Sequence, residues 1–166
     1  WGVRLAVSLP SENQIEQLST VLKAKADAKP CLSWGSSELR RFKGRLYFLT
    51  NSLQNESIVV SDETPWTGLD VLLLKDGAKF ELICAEEKKR HPANFTVRYR
   101  DGGERCKPKG RGHSQSLKKL LQEYDVPPWL RDCVPLVYCR GEIIAVGDIF
   151  TCEPCPEEYS FRWLYD

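Results

Sequence analysis

The 166-residue sequence contains no methionine, only two histidines and no long apolar run. Its apolar stretches, such as VLLL at 71–74, are far shorter than the roughly 20 residues that a helix needs to cross a bilayer, so we expect no membrane partner. The start, WGVRLAVSLP, does not show the charged, apolar and cleavage regions of a signal peptide in order. Because an open reading frame begins with methionine, we expect the chain to be part of a longer protein.

Cysteine is present, but not in the number or spacing of a disulfide framework. Seven is an odd count, the spacings are scattered, and several cysteines fall inside apolar strand patterns. We therefore expect a cytoplasmic protein with reduced thiols. Cys152 and Cys155 form a C-x-x-C pair, but a structural zinc site takes four ligands, and neither His91 nor His113 has a matching spacing. Incidental thiols are favoured over a zinc or redox role, and no metal site is predicted.

The hydrophobic content of 42% and the charged content of 28% are typical of a globular protein. The pattern predicts an α+β fold of two small domains, at residues 1–62 and 63–166. We expect a helix and a β-hairpin in the first domain. We expect a mixed sheet with one amphipathic helix in the second, after a linker at 51–66.

In the first domain, Ser11 and Gln14 match a capping box at the start of a helix. The apolar stripe that follows at helical spacing comprises Ile15, Leu18, Leu22 and Ala26.

A hairpin around Lys43-Gly44 is predicted next, over residues 38–50. Its core face would hold Leu39, Leu46 and Phe48. Its other face would mix cations with aromatics, namely Arg40, Phe42, Arg45 and Tyr47.

In the second domain, two strands joined at Asp76-Gly77 and a hairpin around Arg140-Gly141 are predicted. Residues 95–100 alternate strictly, with Phe95, Val97 and Tyr99 facing inward. A helix over 116–124 is indicated by an apolar stripe that is ended by Asp125-Val126-Pro127-Pro128. The stripe consists of Leu117, Leu120, Leu121 and Tyr124.

Positive charge is concentrated between Arg98 and Lys119, where eight lysines and arginines stand against two acids. This stretch carries +6 in a chain of net charge +1. A hairpin turning at residues 101–104 would place five cations on one face and bury Cys106 on the other. Like charges opposite each other destabilise a sheet, so such a face indicates a polyanionic partner. A solvated basic face without a ligand is the alternative.

The glycine-rich segment Gly110-Arg111-Gly112-His113 leads into the second helix. Free backbone N–H groups at a helix N-terminus suit a phosphate, and Lys118 and Lys119 in the first turn are disfavoured unless an anion is near.

The run GGERCKPKGRGHSQSLKKLLQEYDVPPWLRDCVPLVYCRGEIIAVG resembles the C-terminal domain of bacterial tRNA(Ile)-lysidine synthetases. The motifs that carry the resemblance are GGER, the glycine-arginine loop before SLKKL, VPPWLRD, and PLVY with its following strand. Upstream, AKADAKPCLSWGSSELRRFKGRLYFL is similar to the middle, substrate-binding domain of that family. Together the matches cover residues 19–50 and 95–147.

The resemblance implies a cytoplasmic ligase that uses ATP and Mg²⁺ to activate the wobble cytidine of an AUA-reading isoleucine tRNA, and then joins lysine to it. In that family the chemistry belongs to an N-terminal domain with an SGGxDS loop, which this chain lacks, since WGSSE at 34–38 has neither the paired glycines nor the aspartate. We therefore expect no catalytic residue, and no ATP or lysine binding, in this chain. Its expected partners are the acceptor stem of the tRNA and the missing catalytic domain.

The basic face and the resemblance together indicate a set of RNA-binding residues. These are Arg98, Arg100, Arg105, Lys107, Lys109, Arg111, His113, Ser116, Lys118, Lys119 and Arg131. A weaker contact or domain-docking surface would be formed by Arg40, Arg41 and Arg45.

Several alternatives stay open at this stage. Arg131 either contacts RNA or pairs with Asp132, and Trp129 either packs on the core or stacks on a base. A basic module that docks an acidic protein or any polyanion is a rival to tRNA recognition. An enzyme with its own site in this chain is a second rival, but no paired carboxylates, metal set or nucleophile-base pair stands at a recognisable spacing.

Overall fold

Two units with separate cores, Trp1–Ser57 and Ile58–Asp166, make up the chain. The structure, a computed structural model, describes residues 10–23, 30–50, 63–74, 78–85 and 94–164. Helices and antiparallel sheets occur together, which confirms the predicted α+β class. The domain boundary predicted after residue 62 falls at the edge of a segment outside the described residues, and it stays a prediction. No helix in the described segments is long and apolar enough to cross a membrane.

The first unit begins with helix α1, Glu12–Lys23. Half of the predicted capping box is present, because the Ser11 backbone N–H donates to Gln14 Oε1 at 2.8 Å. The predicted apolar stripe is wrong in part. Ile15 and Leu22 are about half exposed (52% and 51%), whereas Val21 is buried and Leu18 packs beside it. The buried side of α1 is thus turned toward Val21, because one short helix on a small sheet covers only a narrow strip of its surface. Ala26 lies outside the described residues.

A three-stranded antiparallel sheet packs against α1 in the first unit, in the order β1-β2-β3. Its strands are β1 Cys31–Trp34, β2 Ser37–Phe42 and β3 Arg45–Thr50. The predicted hairpin is confirmed in its register, with Arg40 opposite Tyr47. Lys43 and Gly44 both have positive φ (46° and 79°), as a type I′ turn requires. Strand β1 was not predicted, and Leu46 is 47% exposed rather than part of the core, because it lies next to the turn of the hairpin.

The second unit contains ten strands, one α-helix and one 3₁₀ turn within its described segments. The first strands are β4 Thr64–Trp66, β5 Leu72–Leu73, β6 Lys79–Cys84, β7 Phe95–Arg98, β8 Arg105–Cys106 and β9 Gln115–Ser116. Helix α2 Leu117–Glu123 and the 3₁₀ turn Pro128–Leu130 follow. The last strands are β10 Leu136–Cys139, β11 Glu142–Val146, β12 Phe150–Thr151 and β13 Tyr159–Leu164.

These strands form a five-stranded sheet in the order β12-β11-β10-β7-β4, a three-stranded sheet β13-β6-β5 and the pair β8-β9. Strand β4 corrects the sequence prediction, which placed residues 51–66 in a linker. Its Pro65 is tolerated because β4 is an edge strand, and Trp66 is buried beside Phe95. Residues 51–62 lie outside the described part of the chain.

The five-stranded sheet has a core on each face. Neighbouring residues of one strand point to opposite faces, and Val137 belongs to one core while Leu136 belongs to the other. The first core is aromatic, since Trp66 packs within 6.3 Å of Phe80, Phe95 and Phe161. The second core lies under helix α2. Both faces are therefore covered, and four consecutive residues of β11, from Ile143 to Val146, are buried.

Helix α2 carries the predicted apolar stripe. Leu117, Leu120 and Leu121 are fully buried in the second core, while Tyr124 is 38% exposed and stacks on Phe150 instead. The helix ends where predicted, because Asp125 takes a positive φ of 59° before the two prolines. The predicted hairpin at Arg140-Gly141 is also confirmed, again with positive φ at both turn residues.

Candidate nucleic-acid interface

The basic hairpin predicted around residues 101–104 is wrong. Strand β7 is flanked by β10 on one side and β4 on the other, so neither of its edges is open to β8. Strand β8 pairs instead with β9. Segment 107–109 continues beside the end of β12, where Lys109 N donates to Thr151 O and Glu153 N donates to Lys107 O. The apolar residues of β10 bury more surface against β7 than the charged β8 would, and this decides the pairing.

The loop between β7 and β8 is closed by its own acid. Gly102 and Gly103 have positive φ of 107° and 83°, and the Glu104 carboxylate accepts the backbone N–H of Gly102 at 2.7 Å and also that of Asp101. The backbone therefore curls around the Glu104 side chain instead of forming a two-residue turn. The sequence prediction placed Glu104 in the turn of a hairpin and did not include this contact.

The first two predicted RNA-binding residues each have an acidic neighbour. The Arg98 guanidinium lies 3.8 Å from the centre of the Tyr138 ring and 2.8 Å from Glu63. Arg100 donates to Asp132 at 2.7 Å. Asp132 is thus paired with Arg100, and Arg131 donates through Nε to the Val126 carbonyl at 2.9 Å. The alternative in which Arg131 pairs with Asp132 is therefore wrong, and the predicted RNA contact of Arg131 stays a prediction.

The next three cations lie along β8 and the segment after it. Arg105 is exposed and donates to the Ser114 carbonyl at 3.0 Å. Lys107 lies 3.7 Å from Glu153, and Lys109 Nζ lies 3.1 Å from the Pro156 carbonyl oxygen. These three residues follow one another along β8 and the segment that continues it, so the structure keeps them together.

A separate cluster surrounds helix α2. Arg111 donates to Glu123 at 2.7 Å and lies over the Tyr124 ring, and Lys119 lies 3.8 Å from the same carboxylate group. Lys118 and His113 are exposed.

The N-terminus of helix α2 is less open than predicted. Ser116 is its N-cap residue but makes no capping hydrogen bond through its side chain, and Leu117 N–H donates to the Glu104 carbonyl at 2.9 Å. The helix has seven residues. A phosphate at this end would find the Leu117 amide already used.

The secondary cations of the first unit are split between two sides of the hairpin. Arg41 donates to the Leu22 carbonyl at 2.7 Å, near the end of helix α1, and Arg40 pairs with Glu38 at 2.8 Å. Arg45 is exposed beside the turn. The structure does not bring these three arginines together as one surface.

A cleft of about 480 Å³ lies beside the basic stretch. Strand β8, with Arg105, Cys106 and Lys107, forms one of its walls, and the β10–β11 hairpin contributes Tyr138 and Glu142. Its further lining residues are Glu104, Ser114, Gly141, Ile143, Glu153 and Pro154. Burial raises the pKa of the Tyr138 phenol although the nearby Arg98 cation opposes the shift, so the hydroxyl keeps its proton at neutral pH.

Tyr138, Glu142 and Glu153 were not predicted as site residues. The period of two residues in a strand was a usable signal, because it places Tyr138 on the opposite face from the buried Val137. No pattern in the sequence predicts that the β10–β11 hairpin lies next to β8. Cys106 is buried as predicted, at 6% exposure.

The C-x-x-C pair divides between the two cores. Cys152 packs in the second core and Cys155 in the first. A hydrogen bond to Cys106, together with burial, raises the pKa of the Cys152 thiol, and burial raises that of Cys155. Within the described residues no group of three or more histidines, cysteines or acids is arranged to hold a metal ion. The pair therefore packs as small hydrophobic side chains.

Comparison with known proteins gives matches in both units. Residues 95–162 match the family model described as the TilS substrate C-terminal domain, and residues 1–47 match the TilS substrate binding domain. The chain belongs to the TilS family. Both TilS domains occur in the order that the sequence resemblance implied.

Relatives named tRNA(Ile)-lysidine synthase align with this TilS chain over most of its length. The protein from Coxiella burnetii is 39% identical over 163 residues, which is 92% of this chain and 35% of the relative. The proteins from Vibrio campbellii and Xylella fastidiosa are 32% and 36% identical, over 90% and 87% of this chain and 34% of each relative. The chain thus spans about a third of the length of these relatives.

Among solved structures, a crystal structure of a TilS C-terminal domain aligns with a TM-score of 0.47 and 17% identity. It covers 63% of this chain and 100% of the solved chain.

Proposed function

We propose that this chain is the tRNA-recognition part of an ATP-dependent ligase that attaches lysine to the wobble cytidine of an AUA-reading isoleucine tRNA. The observation that carries the proposal is the alignment of about nine-tenths of the chain with relatives named tRNA(Ile)-lysidine synthase. The chain itself would bind and position the acceptor stem, and the ligase would operate in the cytoplasm.

The cations around the cleft support a phosphate-binding role. Arg105 is exposed, and the side chains of Lys107 and Arg98 are 41% and 33% exposed. Exposed ion pairs contribute only about 0–1 kcal/mol, so an RNA phosphate can replace Glu153 or Glu63 at little cost. Duplex RNA is recognised mainly through its phosphates, its 2′-hydroxyls and its shape. Cations spaced along a strand edge fit that mode of contact.

ATP and Mg²⁺ would be held by a part of the enzyme outside this chain. The sequence lacks the SGGxDS loop, and the described residues offer no cluster of metal ligands. The residues present do not fit either group, and no catalytic step is assigned to them. The role of this chain is to hold the RNA in place.

Binding measured over a range of salt concentrations tests the proposal. About four to six phosphate contacts would give a slope of log K against log salt of roughly −3 to −5. The isoleucine tRNA transcript should bind more tightly than heparin or an unrelated tRNA at every salt concentration. Equal affinity for heparin and tRNA would instead identify a general polyanion-binding module, and the proposal would then be wrong.

A matched pair of variants locates the contact. Lys107→Gln removes a cation at the cleft, and Lys79→Gln removes one from β6 in the same unit. We expect weaker tRNA binding and a slope less steep by about one for Lys107→Gln only.

A further inference from the structure

We propose that the cleft between β8 and the β10–β11 hairpin receives an unpaired nucleobase of the bound RNA, with guanine as the best fit. This inference rests on the proposed function, because it assumes that RNA lies on this part of the second unit. It names what enters the cleft, whereas the phosphates of the duplex stay on the surrounding cations.

The charges of the lining argue against a phosphate inside the cleft. Two cations, Arg105 and Lys107, are outnumbered by three acids. A phosphodiester placed among three carboxylates would be repelled. A neutral base with N–H donors would be attracted by the same acids, while its own phosphates could reach the exposed Arg105.

The three acids of the cleft differ in their contacts, and only one of them has carboxylate oxygens without a partner among the described residues. Glu104 accepts backbone N–H groups of its own loop, and Glu153 faces Lys107. Glu142, the first residue of β11, is exposed and has no ion pair or hydrogen bond from its side chain to any described residue. A carboxylate is an acceptor only, so Glu142 can accept hydrogen bonds from donors of a ligand in the cleft.

Guanine presents two adjacent donors, N1–H and the N2 amino group, which a carboxylate can accept together. Uracil presents one N–H between two carbonyl oxygens, and those oxygens would repel Glu142. The chemistry of the lining therefore favours guanine and disfavours uracil. These groups lie on the Watson–Crick edge of the base, which is accessible only in an unpaired nucleotide. Proteins that recognise RNA by sequence bind mostly such unpaired nucleotides.

An aromatic ring completes the cleft. Tyr138 is half-buried and held by the Arg98 guanidinium at 3.8 Å, and Arg98 does not line the cleft. The ring is thus fixed from outside the cleft while part of its surface faces into it. Base stacking on an aromatic side chain contributes substantially to RNA binding. The volume of about 480 Å³ is within the range of small-molecule sites.

The test uses neutral nucleosides, so that phosphate plays no part. Guanosine or uridine is titrated at millimolar concentration into the purified chain, and backbone amide shifts are followed by NMR. We expect guanosine to shift amides of residues 104–107 and 138–143, and uridine to shift them several-fold less. Absence of saturable guanosine shifts in these residues, or equal affinity for uridine, would overturn the inference.

Two pairs of variants sharpen the result. Glu142→Gln should weaken guanosine binding roughly tenfold, because a bidentate contact to a base is lost, whereas Glu153→Gln should change it little. Tyr138→Leu should weaken it by a similar factor, and Tyr138→Phe, which keeps the ring, should not. If Glu142→Gln binds guanosine as well as the original chain, the cleft does not read the base.

Failure of this inference differs from failure of the proposed function. Tight, salt-dependent tRNA binding without guanosine binding would remove the nucleobase site and keep the tRNA-recognition role. Loss of selective tRNA binding itself would remove the proposed function.

Discussion

The two units of the chain differ in how much apolar surface they bury. In the first unit the described core consists of Val21, Leu32 and Trp34, with three partly buried neighbours. The second unit covers its five-stranded sheet with a core on each face. In the described part of the first unit one helix covers a three-stranded sheet, and Ile15 and Leu22 are about half exposed. We therefore expect a substitution in the described cores of the second unit to cost more stability than one on helix α1 of the first.

The same contrast applies to the cations. In the second unit two of them, Arg105 and Lys107, line a cleft that also holds acids, whereas in the first Arg40 and Arg41 make their contacts within the unit. A rigid sheet with two cores can hold side chains from β8 and from the β10–β11 hairpin in a constant relation.

The largest effect is expected for Leu120→Ala in helix α2. Leu120 is fully buried in the second core, and removing such a side chain costs about 3–5 kcal/mol in the free energy of unfolding. Leu22→Ala, in the first unit, should cost about 1 kcal/mol or less, since Leu22 is 51% exposed. Hydrogen exchange resolved by residue would report each unit separately. Similar losses for both variants would contradict the contrast between the two cores.

The cost of adding one methyl group can be compared between the units at two glycines that have nearly equal φ. At Gly68 (φ 77°) an added Cβ would lie 2.8 Å from Phe95 and 2.9 Å from Leu82, whereas at Gly44 (φ 79°) it would meet nothing within 4 Å. Gly68→Ala should cost about 2–4 kcal/mol from backbone strain and overpacking. Gly44→Ala should cost about 1 kcal/mol, because a stiffer unfolded chain offsets part of the strain. Denaturant unfolding followed separately in each unit measures the loss of stability for each variant. If Gly44→Ala is as destabilising as Gly68→Ala, the contrast in packing between the two positions is wrong.

Removal of one cation from each unit compares their contributions to RNA binding. Lys107→Gln should make the salt slope of tRNA binding less steep by about one, whereas Arg45→Gln in the first unit should leave it unchanged. Filter binding at four or more salt concentrations resolves this difference. An equal change in both slopes would assign the first hairpin to the RNA interface as well.

The smallest effect concerns the pair formed by Lys107 and Glu153. Lys107→Glu places two carboxylates where the side chains now lie 3.7 Å apart, and should cost up to about 1 kcal/mol. The exchange of both residues, Lys107→Glu with Glu153→Lys, should restore most of that stability. If the double variant is no more stable than the single one, the two side chains do not interact in solution.

Local patterns in the sequence were sufficient for several elements. Lys-Gly and Arg-Gly turns predict two hairpins because positive φ at both turn positions selects a two-residue loop. The stripe of α2 and the alternation of β7 follow from the periods of helix and strand. Strands β1 and β4 were missed because they are short, and the second contains a proline.

The sequence by itself determined the α+β class, the two hairpin turns, the family and the concentration of positive charge. Only the tertiary structure decided which strands lie beside β7, and hence that the cations do not share one hairpin face. Strand pairing over long sequence separation depends on how much apolar surface each candidate strand can bury, and the buried residues of β10 and β4 outweigh the charged residues of β8. The cleft follows from that pairing. It brings Tyr138 and Glu142 next to Arg105 and Lys107, although the two pairs of residues are more than 30 positions apart in the sequence.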